Sequence, residues 1–393
     1  MRILVINYEY PPIGGGGGFV TRDILEEIVK KGHLVTIITS HYKSLARREC
    51  VNGVDVIRAP VLFRNKIEVA NMASMFCYLP SSIIKGLSNF NRKTFDIINT
   101  HFAVPSGPAG YILSKYFKIP NVLSLHGGDI FDPSKSLSPH KTPILANTVN
   151  AMLKTADRVV AQSNDTKNNA HRFYKIKRRV DVIPLGIKKP VFTNKTRSDL
   201  GLDADETVFC TLGRLIKRKN IEDIFKVISH LRDTYNYKLL IMGDGPERKH
   251  LEGLISQLGL NGKVRFLGNV TEEVKFQVLN LSDVYLSTAL HEGFGLVFLE
   301  AMECGLPIIC YNRGGQNDFL VDGKTGFLVE LGDKEGFYAN IVKLLENAAL
   351  KQRIGSYNRE LIKSYYIDRC ADKYIDLFED VISERNLQKE AHH

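Results

Sequence analysis

The sequence predicts an α/β protein made of two doubly wound domains. Three observations carry this. Short apolar runs alternate with segments of helical spacing along the 393-residue chain, the pattern of parallel strands joined by crossover helices. Five glycines, 14–18, stand between the first apolar run and the first helical segment, where a strand-to-helix turn needs backbone freedom. The alternation then restarts after residue 190, and at roughly 150 residues per domain the length fits two or three domains.

The elements follow in order. Ile3-Leu4-Val5-Ile6 reads as a buried parallel strand. Val20, Ile24, Leu25, Ile28 and Val29 give the next segment helical spacing, and Gly32 ends it. Leu34–Thr39 is the second strand. Further strands are read at 96–100, 122–125, 158–162 and 180–184. The second series places strands at 207–212, 238–242, 264–267, 284–287 and 307–310, with helices near 220–232, 246–258, 272–281 and 294–304. A final helix spans 367–387. The expected domains are 1–187, 188–366 and a terminal helix, 367–393.

Composition narrows the function classes. Apolar residues make up 44% and charged residues 24%, which excludes disorder over most of the length. No run approaches the ~18 apolar residues of a spanning helix. MRILVINYEYPP enters a strand directly, without the pattern of a secretory signal. The six cysteines are scattered and form no C-x-x-C, against a disulfide framework or structural zinc and in favour of a reducing cytoplasm.

Charge is uneven. Residues 1–187 hold 25 Lys and Arg against 13 Asp and Glu, a net of +12, while 188–393 hold 28 against 30, a net of −2. The first half invites an anionic partner (membrane surface, phosphorylated ligand or nucleic acid), or has a solvated basic surface. Segment 67–84 mixes Val69, Met72, Met75, Phe76, Tyr78 and Leu79 with few charges, flanked by Arg64, Lys66 and Lys85. It either docks on anionic lipid, packs in the core or lines a groove.

Four segments carry candidate chemistry. The glycine run offers successive N–H groups at a helix N-terminus, an anion site, or it is a plain turn. No Lys-Ser/Thr follows it, so it is not a P-loop. Thr211–Asn220 ends a strand at Gly213 and adds four basic residues. Ligands of open α/β sheets bind at the C-terminal ends of strands, so Arg214 and Lys219 read as a phosphate clamp, with Lys217 and Arg218 as a basic loop in water. His291–Glu300 sets two carboxylates eight apart across a strand-to-helix turn. Glu292 faces a ligand or is a salt-bridged core glutamate, and Gly293 and Gly295 bare their N–H groups. Ser124-Leu-His-Gly-Gly-Asp129 places His126 at a strand end, in a catalytic or a structural role. Asp203-Ala-Asp205 has D-x-D letters but lies in a polar loop, and no other constellation suggests a metal.

Taken together, these motifs resemble the family 4 glycosyltransferases, retaining enzymes of the GT-B fold. The resemblance covers nearly the whole chain. It rests on the glycine loop, Leu-His-Gly-Gly-Asp at 125–129, Gly-Arg-x4-Lys at 213–219 and Gly-Asp-Gly-Pro-Glu at 243–247. The E-x7-E pair Glu292/Glu300 and Gly314-Gly315 with the run that follows complete it. It implies two Rossmann-like domains facing across a cleft, the first presenting the acceptor and the second holding a nucleotide-sugar. Arg214 and Lys219 would neutralise the diphosphate. Gly295, Leu296 and Val297 would offer backbone N–H groups, and Gly15 and Gly16 would close over the diphosphate. Glu292 would bind the transferred sugar, Glu300 the ribose, and His126 would sit near the anomeric carbon. It implies no cofactor and no metal, a UDP-, GDP- or ADP-sugar donor, and a glycan, lipid-linked or phosphorylated acceptor. The expected location is cytoplasmic, with peripheral docking on the inner membrane face as a hypothesis, and no nucleic acid is expected as partner. The final helix would cross back onto the first domain. Two departures stand out: Leu185 and Lys188 replace an interdomain Asn and Asp, and Asp318 stands where glutamate is common, so no role is carried to them.

Competing readings are a nucleotide-sugar epimerase or phosphorylase on the same fold, a nicotinamide oxidoreductase and a nucleic-acid-binding module. The oxidoreductase needs an acidic ribose ligand about 20 residues after the glycines, and 36–41 has none. The nucleic-acid module lacks interleaved aromatic and basic motifs.

Overall fold

In the computed structural model, residues 1–65, 67, 71–134 and 138–390 are described. The chain divides into two compact units, Met1–Lys188 with Tyr366–His393, and Lys189–Tyr365.

The first unit contains β1 (Arg2–Ile6), α1 (Gly16–Lys30), β2 (Leu34–Ser40), β3 (Arg48–Val51), β4 (Val54–Ala59), α2 (Met72–Asn89), β5 (Ile97–His101), α3 (Gly107–Phe117), β6 (Asn121–Leu125), α4 (Pro143–Thr155), β7 (Arg158–Ala161), α5 (Asn164–Tyr174) and β8 (Asp181–Val182). Its sheet runs β3-β4-β2-β1-β5-β6-β7-β8 and is parallel except for the β3–β4 hairpin. Ile3 to Ile6 are fully buried, as a strand covered by helices on both faces requires. The hairpin turns at Asn52 and Gly53, both with positive φ (49° and 84°), the conformation that Asn-Gly favours.

The second unit contains β9 (Thr207–Leu212), α6 (Ile221–Ser229), β10 (Tyr237–Met242), α7 (Arg248–Gln257), β11 (Val264–Gly268), α8 (Glu272–Leu281), β12 (Val284–Ser287), α9 (Leu296–Glu303), β13 (Ile308–Tyr311), β14 (Gly326–Val329), α10 (Lys334–Leu345) and α11 (Ala348–Leu361). Its wholly parallel sheet runs β11-β10-β9-β12-β13-β14. Both sheets reverse strand order once, at β1/β5 and at β9/β12. Such switch points open a crevice at the carboxyl ends of the strands.

The last helix, α12 (Ile367–Glu390), belongs to the first unit and packs against α1. Ile367, Cys370, Ala371, Tyr374, Phe378 and Val381 form its buried stripe. Burying side chains such as Phe378 contributes about 1.5–3 kcal/mol each. The rim pairs, Lys31–Asp372 at 2.7 Å and Arg385–Asp157 at 3.2 Å, add little beside that. This helix also redistributes charge. Residues 1–188 and 366–393 hold 30 basic and 20 acidic side chains, a net of +10, and residues 189–365 hold 23 of each, a net of zero.

Segment 67–84 becomes most of α2, although Val69 and its flanking Lys66 lie outside the described residues. Asn71 caps the helix, its side chain accepting from the Ser74 N–H at 2.8 Å. The buried stripe is Ser74, Tyr78, Ser82 and Gly86. Larger apolar residues at the same i,i+4 spacing, Met72, Phe76 and Ile84, are exposed, the last two at 62% and 63%.

Where the chain enters α12, Ile367 N–H donates to the Ile187 carbonyl at 2.9 Å. A Cβ on Gly186 would lie 2.8 Å from backbone atoms of Tyr366. Gly186→Ala is expected to destabilise the first unit by about 2 kcal/mol through overpacking, read as a lower midpoint in thermal unfolding. An unchanged midpoint would show that the junction can spread.

Candidate functional site

Each switch point collects polar side chains. In the second unit, β9 leads into Gly213–Asn220 and β12 into Thr288–Gly295. Hydrogen bonds hold these loops together, among them Thr288 Oγ1 donating to Asn220 O at 2.6 Å and Leu290 N–H donating to Arg218 O at 2.9 Å. Between them Glu292, only 7% exposed, meets two cations. Its Oε1 lies 2.6 Å from Lys219 Nζ and its Oε2 3.0 Å from Arg218 Nη1. Arg218 also donates to the His291 carbonyl. Burial alone would raise the Glu292 carboxyl, but Lys219 and Arg218 outweigh it and hold it at about 2.

Arg218 therefore does not lie in solvent, where the sequence reading put it; it lies in the ion cluster. The spacing of basic residues did not show which one turns inward. Arg214 is exposed and makes no hydrogen bond or ion pair among the described residues. Its charge is unspent beside a cluster whose other cations are committed to Glu292.

Gly295 precedes α9 with φ +95°, and a Cβ there would strike the Phe298 ring at 2.5 Å. The N–H groups of Leu296 and Val297 fall in the first turn, where helical N–H groups have no intrahelical acceptor. Glu300 lies one turn further on, 2.6 Å from buried Lys275, which also holds Glu272 at 2.7 Å. Burial raises the Glu300 carboxyl against the pull of Lys275. The sequence reading did not pick out Lys275, which lies 25 residues before Glu300 on a different helix. A cavity of about 380 Å³ lies between the starts of α6 and α7, lined by Lys217, Asn220, Glu222, Glu247 and His250. Among the described residues no group of three or more His, Cys, Asp or Glu could hold a metal ion. Asp203 and Asp205 are both exposed in the loop before β9.

In the first unit, the helix starts at Gly16, so the glycine run is half turn and half helix. Gly15 N–H donates to Glu9 Oε2 at 3.1 Å, which places a carboxylate at the helix N-terminus. Glu9 was not among the sequence candidates. His126 follows β6. Its N–H donates to Asp129 Oδ1 at 2.9 Å, and Ala103 N–H donates to Asp129 Oδ2 at 2.7 Å. Its ring stacks on Phe102, centroids 4.3 Å apart, and Phe102 holds φ +69°, uncommon for an aromatic residue. Burial lowers His126 to about 4. Lys188, to which no role was carried, binds Glu26 at 2.6 Å and Asp23 at 2.9 Å on α1.

Comparison with known proteins follows from this geometry. Residues 192–361 match the description of glycosyl transferases group 1, and residues 14–189 match that of Glycosyltransferase Family 4. The chain is 27% identical over 383 residues to the N-acetyl-alpha-D-glucosaminyl L-malate synthase of Bacillus anthracis, covering 95% of this chain and 96% of that one. It is 30% identical over 210 residues to the lipopolysaccharide core biosynthesis glycosyltransferase LpsD of Rhizobium meliloti, 53% of this chain and 60% of that one. Its fold is similar to sucrose-phosphate synthase from Thermosynechococcus elongatus, with TM-score 0.85, 23% identity and coverage of 98% and 100%. Anabaena HepE in complex with UDP-glucose aligns with TM-score 0.77, 19% identity and coverage of 97% and 100%.

The ion cluster has a pH signature. The folded Glu292 carboxyl lies below its ordinary 4.5, so its contribution is complete above that pH and fades as the pH falls toward 2. Glu292→Gln leaves two half-buried cations without a counter-charge and is expected to cost about 3 kcal/mol at pH 7. In denaturant unfolding the gap from wild type should narrow between pH 5 and pH 3; a constant gap would contradict the pairing.

Proposed function

Because this chain belongs to the family 4 glycosyltransferases and shares their GT-B fold, we propose how its residues divide the work. The reaction moves a hexose-type sugar from a nucleoside diphosphate sugar to a hydroxyl of a glycan, lipid-linked or phosphorylated acceptor. It retains the anomeric configuration and uses no divalent metal.

One observation carries this reading: the Lys219–Glu292–Arg218 cluster at the β9/β12 switch point, beside exposed Arg214 and the start of α9. Breaking the sugar–phosphate bond puts negative charge on a diphosphate. Arg214, Lys219 and the N–H groups of Gly295, Leu296 and Val297 compensate it. In the free protein Lys219 is neutralised by Glu292. A diphosphate takes over Lys219, and the released Glu292 carboxylate accepts hydrogen bonds from sugar hydroxyls. Glu300 holds the ribose; the family pattern assigns His126 to the anomeric carbon and Gly15 and Gly16 to the diphosphate. The acceptor attacks on the face the leaving group departs, and the leaving phosphate takes its proton.

Relatives and neighbours support this range of substrates. LpsD is named for lipopolysaccharide core biosynthesis, and HepE was solved with UDP-glucose. A thermal-shift screen of UDP-, GDP- and ADP-sugars in EDTA identifies the donor: the true one, at 100 times its dissociation constant, stabilises by about 2.7 kcal/mol. Lys219→Ala should then lower kcat/KM by about 10²–10³. Full activity of that variant, or turnover that EDTA abolishes and magnesium restores, would overturn the assignment.

The first unit docks on an anionic membrane surface. Its support is the net charge of +10 and the outward apolar stripe of α2, next to exposed Leu62 and Phe63. Asn71 at the start of α2 donates to the Phe63 carbonyl, which joins the two. Each engaged Lys or Arg adds about 1 kcal/mol. Co-sedimentation with anionic vesicles at low salt should fall on Phe76→Ser/Ile84→Ser; equal recovery in the supernatant with and without vesicles would exclude docking.

A further inference from the structure

Proton counting around His126 gives it a defined role. His101 ends β5, is fully buried, and its Nε2 has no hydrogen-bond partner among the described residues. Its Nδ1 lies 2.9 Å from His126 Nε2 and 3.3 Å from Thr21 Oγ1. The Thr21 hydroxyl donates its one hydrogen to the Gly17 carbonyl at 2.8 Å. Asn7 Oδ1 accepts from the Glu9 N–H at 3.0 Å, which turns Asn7 Nδ2 to donate to Thr21 Oγ1 at 3.1 Å. Thr21 therefore has only lone pairs left for His101.

Burial keeps both rings neutral: His126 at about 4, and His101 well below its ordinary value. A single proton then lies between the two nitrogens. Placed on His101 Nδ1, it serves His126 Nε2 and Thr21 together. Placed on His126 Nε2, it sets the bare His101 nitrogen against the Thr21 oxygen and moves the other proton to buried Nε2, an N–H with no acceptor. An unsatisfied buried donor costs about 1–3 kcal/mol.

We propose that His101 is a positioning residue that donates its Nδ1–H to His126 Nε2 and so fixes the His126 proton on Nδ1. His126 then meets the donor sugar as a hydrogen-bond donor and not as a base; that final step rests on the glycosyltransferase reading above. The Phe102 stack and the Asp129 grip on the His126 backbone hold the ring in one plane. His126 Nδ1 has no hydrogen bond among the described residues and is the nitrogen left for a ligand.

The test is two-bond proton–nitrogen correlation on protein labelled with ¹⁵N-histidine, at neutral pH and without ligand. The expected result is a protonated Nδ1 and a bare Nε2 for His126. His101→Phe should shift His126 toward the Nε2–H form and lower kcat by up to about 100-fold, with the donor KM little changed. His101→Asn places an amide donor where Nδ1 was and should restore both the tautomer and much of kcat. A wild-type spectrum with His126 protonated on Nε2 would overturn the proposal, as would a His101→Phe spectrum identical to wild type. If His101→Phe does not fold, the wild-type spectrum decides. The spectrum needs no substrate, so a protein that binds no sugar nucleotide would strike the functional reading alone.

Discussion

The second unit depends on one buried carboxylate held by two cations. Glu292 is withdrawn from water, and a charge in that position is costly unless paired. Lys219 and Arg218 pair it within 3.0 Å, and hydrogen bonds between the β9 and β12 loops set the distance. The arrangement stores positive charge at the sheet's switch point while leaving it neutralised. In the proposed reaction a diphosphate takes Lys219 from Glu292, and sugar hydroxyls meet the cost of uncovering the carboxylate. On that proposal the same interaction that supports the loop in the free protein also prepares it for the ligand.

The first unit uses the opposite solution. Two imidazoles share a buried contact with no counter-charge: neutrality replaces pairing. His101, Thr21 and Asn7 form a chain in which each proton has one assignment, and an Asp129 clamp and an aromatic stack fix the ring at its end. In the role proposed for His126, beside a sugar that becomes positive as its bond breaks, a neutral donor is suited where an imidazolium would be repelled.

Much of the fold was legible because parallel strands buried on both faces read as plain apolar runs, as in Ile3–Ile6 and Thr207–Leu212. Shorter or half-exposed elements were not. β3 and β4 were missed although Asn52-Gly53 marks their turn, and β14 was missed because its four residues include a glycine. Spacing left the partner of α2 open because it is apolar on two faces: Tyr78, Met75, Leu79 and Ile83 pack inward, while Met72, Phe76 and Ile84 face outward. In the site, motif spacing identified Glu292, Lys219 and His126 as candidates. It could not reveal Arg218, Lys275 or Glu9, because loop curvature and cross-element packing decide which way those side chains turn.

The most direct measurement is calorimetric titration of a nucleoside diphosphate, without sugar, into wild type and Lys219→Met in the presence of EDTA. Binding to wild type, weakened at least about 100-fold in the variant, is the result this account predicts. Equal affinity in both proteins, or binding that requires added magnesium, would contradict it.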